Sequence, residues 1–313
     1  MKRAVDILSA GELLIDMITA EFVQSLDEAN LFKRVPGGSP ANLCSNMARL
    51  GNKTMLVASV GNDDMGRVLK NYLAALGVDI TGIATLEDFA TSLILVTRSA
   101  TTSDFVPYRG ADSQLSIRQF PFNLFDDIGI FHTTCFALSK APAQSVLFEA
   151  AERAKRAKCM ISLDANYAAK IWPNRLEAQQ KIRDYIRMGA MVKISDVDWQ
   201  RLFNEPASSP DIVLEYFLKN NASEVCYTMG DKGCWVANDK EKHFLPTRPI
   251  DVKDTTGAGD AFWSGYLTAC IDGKPLLERA MAGRKMAEMK IGVFGALPST
   301  VARESIYEVV DTE

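Results

Sequence analysis

Apolar residues fall along this chain in short runs that alternate with stretches of helical spacing. Residues 5–10, 54–60, 127–133, 159–164, 190–195, 224–229 and 233–237 are strand-like runs. Residues 40–50, 66–76, 143–157, 175–188, 211–219, 258–271 and 275–291 place their apolar side chains at helical intervals. Gly51 and Gly77 follow two of these helices, where a C-terminal stop belongs. A turn is predicted at Gly230-Asp231-Lys232-Gly233. Such a β-α-β-α succession predicts an α/β fold, a mostly parallel central sheet flanked by helices. Ligands of these sheets bind at the carboxyl ends of the strands. Residues 18–35 and 91–108 break the rhythm. They are strand-like but half polar, and predict strands that leave the main sheet to build a small second layer. No internal repeat, biased tract or long linker interrupts residues 1–313, which read as a single domain.

Hydrophobic residues make up 47% of the chain and charged residues 24%, the balance of a globular protein with a sizeable core. A net charge of −4 without a long basic run argues against a nucleic-acid partner. No uninterrupted apolar run reaches the about 18 residues of a membrane span. Asp6, Glu12 and Asp16 interrupt the apolar stretch after Met1-Lys2-Arg3, so no secretory leader is expected. The six cysteines form no C-x-x-C pair and read as buried thiols, which makes a cytoplasmic setting the expectation. Two histidines, His132 and His243, are too few for a His-rich metal site, and both are expected to be structural. Carboxylates, backbone amides and a bound metal are left to carry the chemistry.

The segment Asp254-Thr255-Thr256-Gly257-Ala258-Gly259-Asp260 runs directly into a helical pattern. Gly257 and Gly259 therefore sit at the mouth of a helix. Free amides of Gly257, Ala258, Gly259 and Asp260 there form an anion hole at the positive end of the helix dipole. Asp260 beside such a hole either accepts a proton from an attacking hydroxyl or merely charges the helix start, and spacing alone does not separate the two. The phosphate-loop pattern is absent, since Gly273-Lys274 is followed by Pro275. The dinucleotide pattern fails too, because Phe262 stands where its third glycine belongs.

Residues 254–262 closely resemble the C-terminal signature of ribokinase-like (PfkB) carbohydrate kinases. Gly37-Gly38-Ser39-Pro40-Ala41-Asn42-Leu43-Cys44 resembles their N-terminal signature. Val60-Gly61-Asn62-Asp63-Asp64-Met65-Gly66 and Thr228-x-Gly230-x-x-Gly233 are also similar, and the matches keep their order from about residue 5 to 298. The resemblance implies a kinase that uses ATP and Mg²⁺, a β-strand lid from excursions at about 12–35 and 88–112, and a homodimer formed through that lid. It implies Asp260 as the catalytic base and Gly257, Ala258 and Gly259 as the anion hole. Asp16, Gly37, Gly38 and Asn42 match positions that hold sugar hydroxyls; by itself Asn42 also reads as a helix-start residue. Thr228, Gly230 and Gly233 match a nucleotide-contacting turn, Gly295 the end of the adenine pocket, and Lys193 and Ser195 lie on the same nucleotide side. Asp254 and Thr255 match a monovalent-cation site, K⁺ being the expected ion, or else form a plain turn.

The chain departs from the family in two places. Ser195 and Asp198 stand where N-x-x-E commonly organises magnesium-bound water, so Asp198 is expected to reach Mg²⁺ through water. Ala168 stands where an arginine is common, with Lys170 nearby. Gly11-Glu12-Leu13-Leu14-Ile15-Asp16 looks most like fructokinases, which puts fructose first as substrate. Arg109 suggests 2-keto-3-deoxygluconate or another ketose or sugar acid, through a bidentate carboxylate pair, or it is structural. Ribose and then a nucleoside, stacked on Phe105 and Tyr108, follow. A catalytically degenerate binding module and a dehydrogenase are the rivals from other classes.

Overall fold

A computed structural model describes residues 3–98, 104–293 and 295–308. The first part of the chain forms β1 (Val5–Ala10), β2 (Leu14–Phe22), β3 (Phe32–Gly37), α1 (Ser39–Arg49), β4 (Thr54–Gly61), α2 (Asp64–Ala75) and β5 (Ile83–Leu86). Then come β6 (Leu93–Arg98), β7 (Phe105–Tyr108), β8 (Ile128–Thr134), α3 (Ala143–Arg156), β9 (Met160–Asp164) and α4 (Arg175–Ile186). The last part forms β10 (Met191–Ser195), α5 (Asp196–Phe203), α6 (Pro210–Lys219), β11 (Glu224–Thr228), β12 (Cys234–Ala237), β13 (Lys242–Leu245), α7 (Ala258–Ile271) and α8 (Leu276–Ile291).

Nine strands make the main sheet, in the order β13-β12-β11-β10-β9-β8-β1-β4-β5. From β5 to β11 every pairing is parallel, and β12 and β13 add an antiparallel edge. The chain winds one way from β1 to β5 and the other way from β8 to β11, so the direction reverses between β1 and β8. Such a reversal opens a crevice at the carboxyl ends of the strands. The pleat sends alternate residues to opposite faces. Leu8, Phe131 and Val192 point into a core with Phe120, Phe125 and Leu147, whereas Ile7, Ile130 and Met191 meet Trp263, Tyr266 and Leu267 of α7. All of β4 is buried, as expected of a parallel strand covered on both faces.

A second, four-stranded sheet has the order β3-β2-β6-β7. Its strands overlap the two stretches that break the sequence rhythm, with β2 starting four residues before the first and β3 ending two residues after it; residues 99–103 of the second stretch lie outside the described residues. β2 begins four residues after β1 ends, and β3 runs straight into α1, so this sheet stands over the carboxyl edge of β1.

All six cysteines are buried and free. His132 is buried against Ser162, whose hydroxyl also accepts the Trp263 indole N–H at 2.9 Å. Burial, helped by the charge of Lys193, pushes the imidazole down to about 3, so it stays neutral and structural. Among the described residues no helix is long and apolar enough to cross a membrane.

Helix α7 is buried nearly all round, which marks a core helix. It lies against α8 at Gly265, where an added Cβ comes within 2.5 Å of Ala282 O and 2.9 Å of Met286 Cβ. Gly265→Ala is therefore expected to overpack this contact and to destabilise the fold by about 1–3 kcal/mol, read as a lower urea midpoint with an unchanged slope.

Candidate active site

The turn from β3 into α1 is built on Gly37-Gly38 because no side chain fits there. A Cβ on Gly37 collides with the Asp16 carboxylate, and one on Gly38 with Glu12 O. Gly38 also has φ of 100°, which side-chain-bearing residues avoid. Pro40 in the first turn then fits the helix start. Ser39 N donates to Glu12 Oε1 at 3.1 Å, and Thr134 Oγ1 donates to Glu12 Oε2 at 2.8 Å. Burial pushes Glu12 up to about 8, despite these bonds. Glu12 thus braces α1 against the ends of β1 and β8, at the reversal of the sheet.

The braced helix reaches the far end of the chain. Ser39 Oγ donates to Asp260 Oδ1 at 2.6 Å, and Asn42 Nδ2 donates to Oδ2 at 2.9 Å. Asp260 stands in the first turn of α7, whose N-cap Gly257 has φ of 74°. Ala258 N turns back to Thr255 O at 3.1 Å, so it is engaged within the turn; no hydrogen bond is made by the amides of Gly257, Gly259 and Asp260 among the described residues. Below them lies Lys193, whose Nζ is 2.9 Å from both carboxylate oxygens of Asp164. A Cβ on Gly259 comes within 3.1 Å of that ammonium, so the glycine keeps open the space above it. Lys193 is 4% exposed; the charges of Asp164, Asp198 and Asp260 outweigh its burial and keep it protonated above its ordinary range.

Two carboxylates are thereby tuned. Burial, then the negative charge of Asp164, pushes Asp260 up to about 6, against the pull of Ser39, Asn42 and Lys193. Burial and the facing charge of Asp260 push Asp16 up to about 7. A carboxylate held near neutrality, beside free amides at a helix start, can take a proton from a hydroxyl that attacks an electrophilic anion.

Asp16, Asn42, Asp254, Thr255, Gly257 and Gly295 line one cleft of about 470 Å³ beneath the second sheet. Asp254 Oδ1 accepts Thr256 N at 2.9 Å and Oδ2 accepts Gly295 N at 3.4 Å; these bonds and the Lys290 charge outweigh its burial and hold it below the usual carboxylate range. Other expected residues lie elsewhere. Thr228 ends β11 beside Ser195 at the end of β10, and Met229 N reaches Gly233 O across the Gly230–Gly233 turn at 2.8 Å. Ser195 Oγ and Asp198 Oδ2 are 2.5 Å apart in a capping box that starts α5; burial pushes Asp198 up to about 6. Arg109 donates from Nε and Nη2 to Asp112 Oδ2 and from Nη1 to Ser139 Oγ, so all three nitrogens are engaged within the protein. Lys170 is tied to Asp104 and to Phe105 O beside β7.

Sequence reasoning misses Ser39, Glu12 and Asp164 as members of this site, and misses Lys290. Ser39 carries a signal, a hydroxyl directly after Gly-Gly at a helix start. The pairing of Lys193 with Asp164 carries none, because it joins neighbouring strands of the sheet.

Known proteins resemble this chain over nearly its whole length. Residues 5–303 match the family model described as pfkB family carbohydrate kinase. An ATP-dependent 6-phosphofructokinase of Thermoanaerobacterium thermosaccharolyticum is 31% identical over 310 residues, 98% of this chain and 95% of that protein. A probable fructokinase-3 of Arabidopsis thaliana is 32% identical, over 94% of this chain and 89% of that protein. The solved fructokinase of Halothermothrix orenii superposes with a TM-score of 0.78 at 29% identity, over 93% of this chain and 99% of its own. With a match that spans both ends of the cleft and nearly the whole sheet, the chain belongs to the pfkB family of carbohydrate kinases.

Proposed function

We propose that this ATP-dependent carbohydrate kinase transfers the γ-phosphoryl group of ATP to a hydroxyl of fructose, with Asp260 as the base. The observation that carries the reading is the convergence of Ser39 and Asn42 on Asp260, with Asp16 facing it. Asp16 and Asn42 hold sugar hydroxyls, and the close turn at Gly37 and Gly38 keeps Asp16 in place. Asp260 removes the proton of the attacking hydroxyl. The amides of Gly257, Gly259 and Asp260, with Lys193 beneath, stabilise the charge on the group in transit. Mg²⁺, when bound, neutralises the ATP phosphates. Among the described residues no cluster of three or more His, Cys, Asp or Glu is set to hold a metal, so Asp198 would meet Mg²⁺ through water, with the ATP phosphates as its other ligands. Thr228, Gly230, Gly233 and Gly295 are the proposed nucleotide contacts, and Ser195 and Asp198 add to their cap a link to metal-bound water. The expected K⁺ is left out of this mechanism, because the Lys290 ammonium lies 3.6 Å from Asp254 Oδ2.

Fructose is supported by the fructokinase relatives and by Arg109, whose pairing with Asp112 disfavours a sugar acid. A second reading, fructose 6-phosphate, is favoured by Lys33 and Lys253 at the cleft and by the name of the Thermoanaerobacterium relative. The second sheet is proposed to close as a lid that excludes water. Its exposed Phe22, 64% exposed, and nearby Leu31, 61% exposed, make it the proposed homodimer contact. A cytoplasmic setting, suited to free buried thiols, belongs to the same proposal.

The functional test is ADP release with Mg-ATP and fructose, fructose 6-phosphate, ribose or 2-keto-3-deoxygluconate. Release with fructose is expected; release with fructose 6-phosphate alone transfers the assignment to the second reading, and none with any sugar overturns both. Asp260→Asn is expected to lower turnover about 10²–10⁴-fold while sugar still binds. The wild-type rate should fall as pH drops through about 6, where Asp260 takes up a proton and ceases to be a base. An unchanged rate in the variant rejects Asp260 as the base. Sedimentation equilibrium at twice the chain mass, reduced to one chain mass by Phe22→Glu, is the outcome expected of the dimer contact.

A further inference from the structure

Lys290 belongs to the last turn of α8 and is not used by the mechanism above. It is 8% exposed, and its Nζ is buried with no hydrogen-bond partner among the described residues. A buried ammonium with three unused donors is costly, so its placement calls for a function. The nearest opposite charge is Asp254 Oδ2 at 3.6 Å, beyond hydrogen-bond length. Its stem passes beneath the entrance of α7, where a Cβ on Gly257 comes within 3.7 Å of Lys290 Cε. Asp254 meanwhile ties together the two backbone segments that meet there, through Thr256 N and Gly295 N. Lys253 N adds a bond to Ile291 O at 2.9 Å, which joins the same turn to the end of α8.

This is the place where the resemblance implies a monovalent cation, and the residues present do not fit one. An ammonium ion has the charge of K⁺ and nearly its size, and it is already beside the carboxylate. A second monovalent ion at Asp254 faces like-charge repulsion at close range inside a partly desolvated turn. Asp254 without any cation is no better, since its negative charge lies within a few residues of the amides of Gly257 and Gly259 and opposes an incoming phosphate.

We infer that Lys290 is a built-in monovalent cation, a positioning residue that neutralises Asp254 and holds the Asp254–Gly257 turn in shape, so that this kinase needs no K⁺. The inference rests on the kinase reading for its rate effect, but the site itself can be tested without any substrate.

The experiment compares KCl with tetramethylammonium chloride at equal ionic strength, for the full chain and for Lys290→Ala. Without substrate, the thermal midpoint of the wild type is expected to be the same in both salts, and that of Lys290→Ala to rise in KCl. With the sugar found active, wild-type turnover is expected to change less than twofold between the salts. Lys290→Ala should lose at least tenfold in tetramethylammonium and recover in KCl or NH₄Cl. A wild-type midpoint raised by K⁺, or a wild-type rate raised tenfold by it, overturns the inference, as does a Lys290→Ala enzyme at full rate without K⁺. Lys290→Met, which keeps the apolar stem, serves the same comparison if the alanine variant does not fold. Silence of every sugar in the panel rejects both substrate readings and leaves the melting comparison to decide the cation.

Discussion

Two hydrogen bonds, from Ser39 and Asn42 to the two oxygens of Asp260, hold together residues more than two hundred positions apart. Each side of this clamp is fixed by its own backbone. On one side, the Gly37-Gly38 turn sets the start of α1, and Glu12 braces it against β1 and β8. On the other, Gly257 opens α7, which is buried against α1, α8 and the sheet. The carboxylate therefore stands at the mouth of a helix and at the edge of the cleft because two rigid elements leave it nowhere else to be. Geometry of this kind limits reorganisation during the reaction, which is where preorganised dipoles gain their effect.

The charges around the clamp form a graded set. Asp164 and Lys193 pair below the entrance of α7, at 3% and 5% side-chain exposure. Breaking a buried pair of this type typically costs about 3–5 kcal/mol, so the pair is a fixed part of the floor. Its two ends act oppositely on Asp260, the carboxylate raising it and the ammonium lowering it. Asp16 is raised further, by its burial first and then by the facing charge of Asp260. Asp254 goes the other way, held ionised by backbone amides and Lys290. Three aspartates, two lining the cleft and Asp260 beside it, are thus separated in proton affinity by surroundings alone.

Much of the architecture is legible in the apolar spacing. The pattern at 258–271 coincides with α7, since a Gly-x-Gly start and apolar residues at helical spacing up to the Asp272-Gly273 stop leave little choice of boundary. The edge strands β5 and β13 are not legible: four residues give no period, and unlike the equally short β12 they do not follow a turn as clear as Gly230–Gly233. Helix α5 escapes for the same reason, although Ser195 and Asp198 carry the signature of its capping box. Within the site, Asp16, Asn42 and Asp260 are visible through motifs because their positions are tied to glycine turns that only certain sequences make. Lys193 with Asp164, and Lys290 with Asp254, are pairings between side chains from different elements, and nothing local in the chain announces them. Arg109 shows the converse, a residue type suited to binding a substrate carboxylate that the fold places against Asp112.

The most direct test of the clamp and its electrostatics is a carboxyl ¹³C NMR titration of Asp260 and Asp16 in the free protein, with Asp260→Asn for assignment. The account predicts that Asp260 titrates at about 6 and Asp16 at about 7, and that Asp16 moves down when Asp260 is replaced. Titration of both groups in the ordinary range near about 4, with Asp16 indifferent to the replacement, would contradict it.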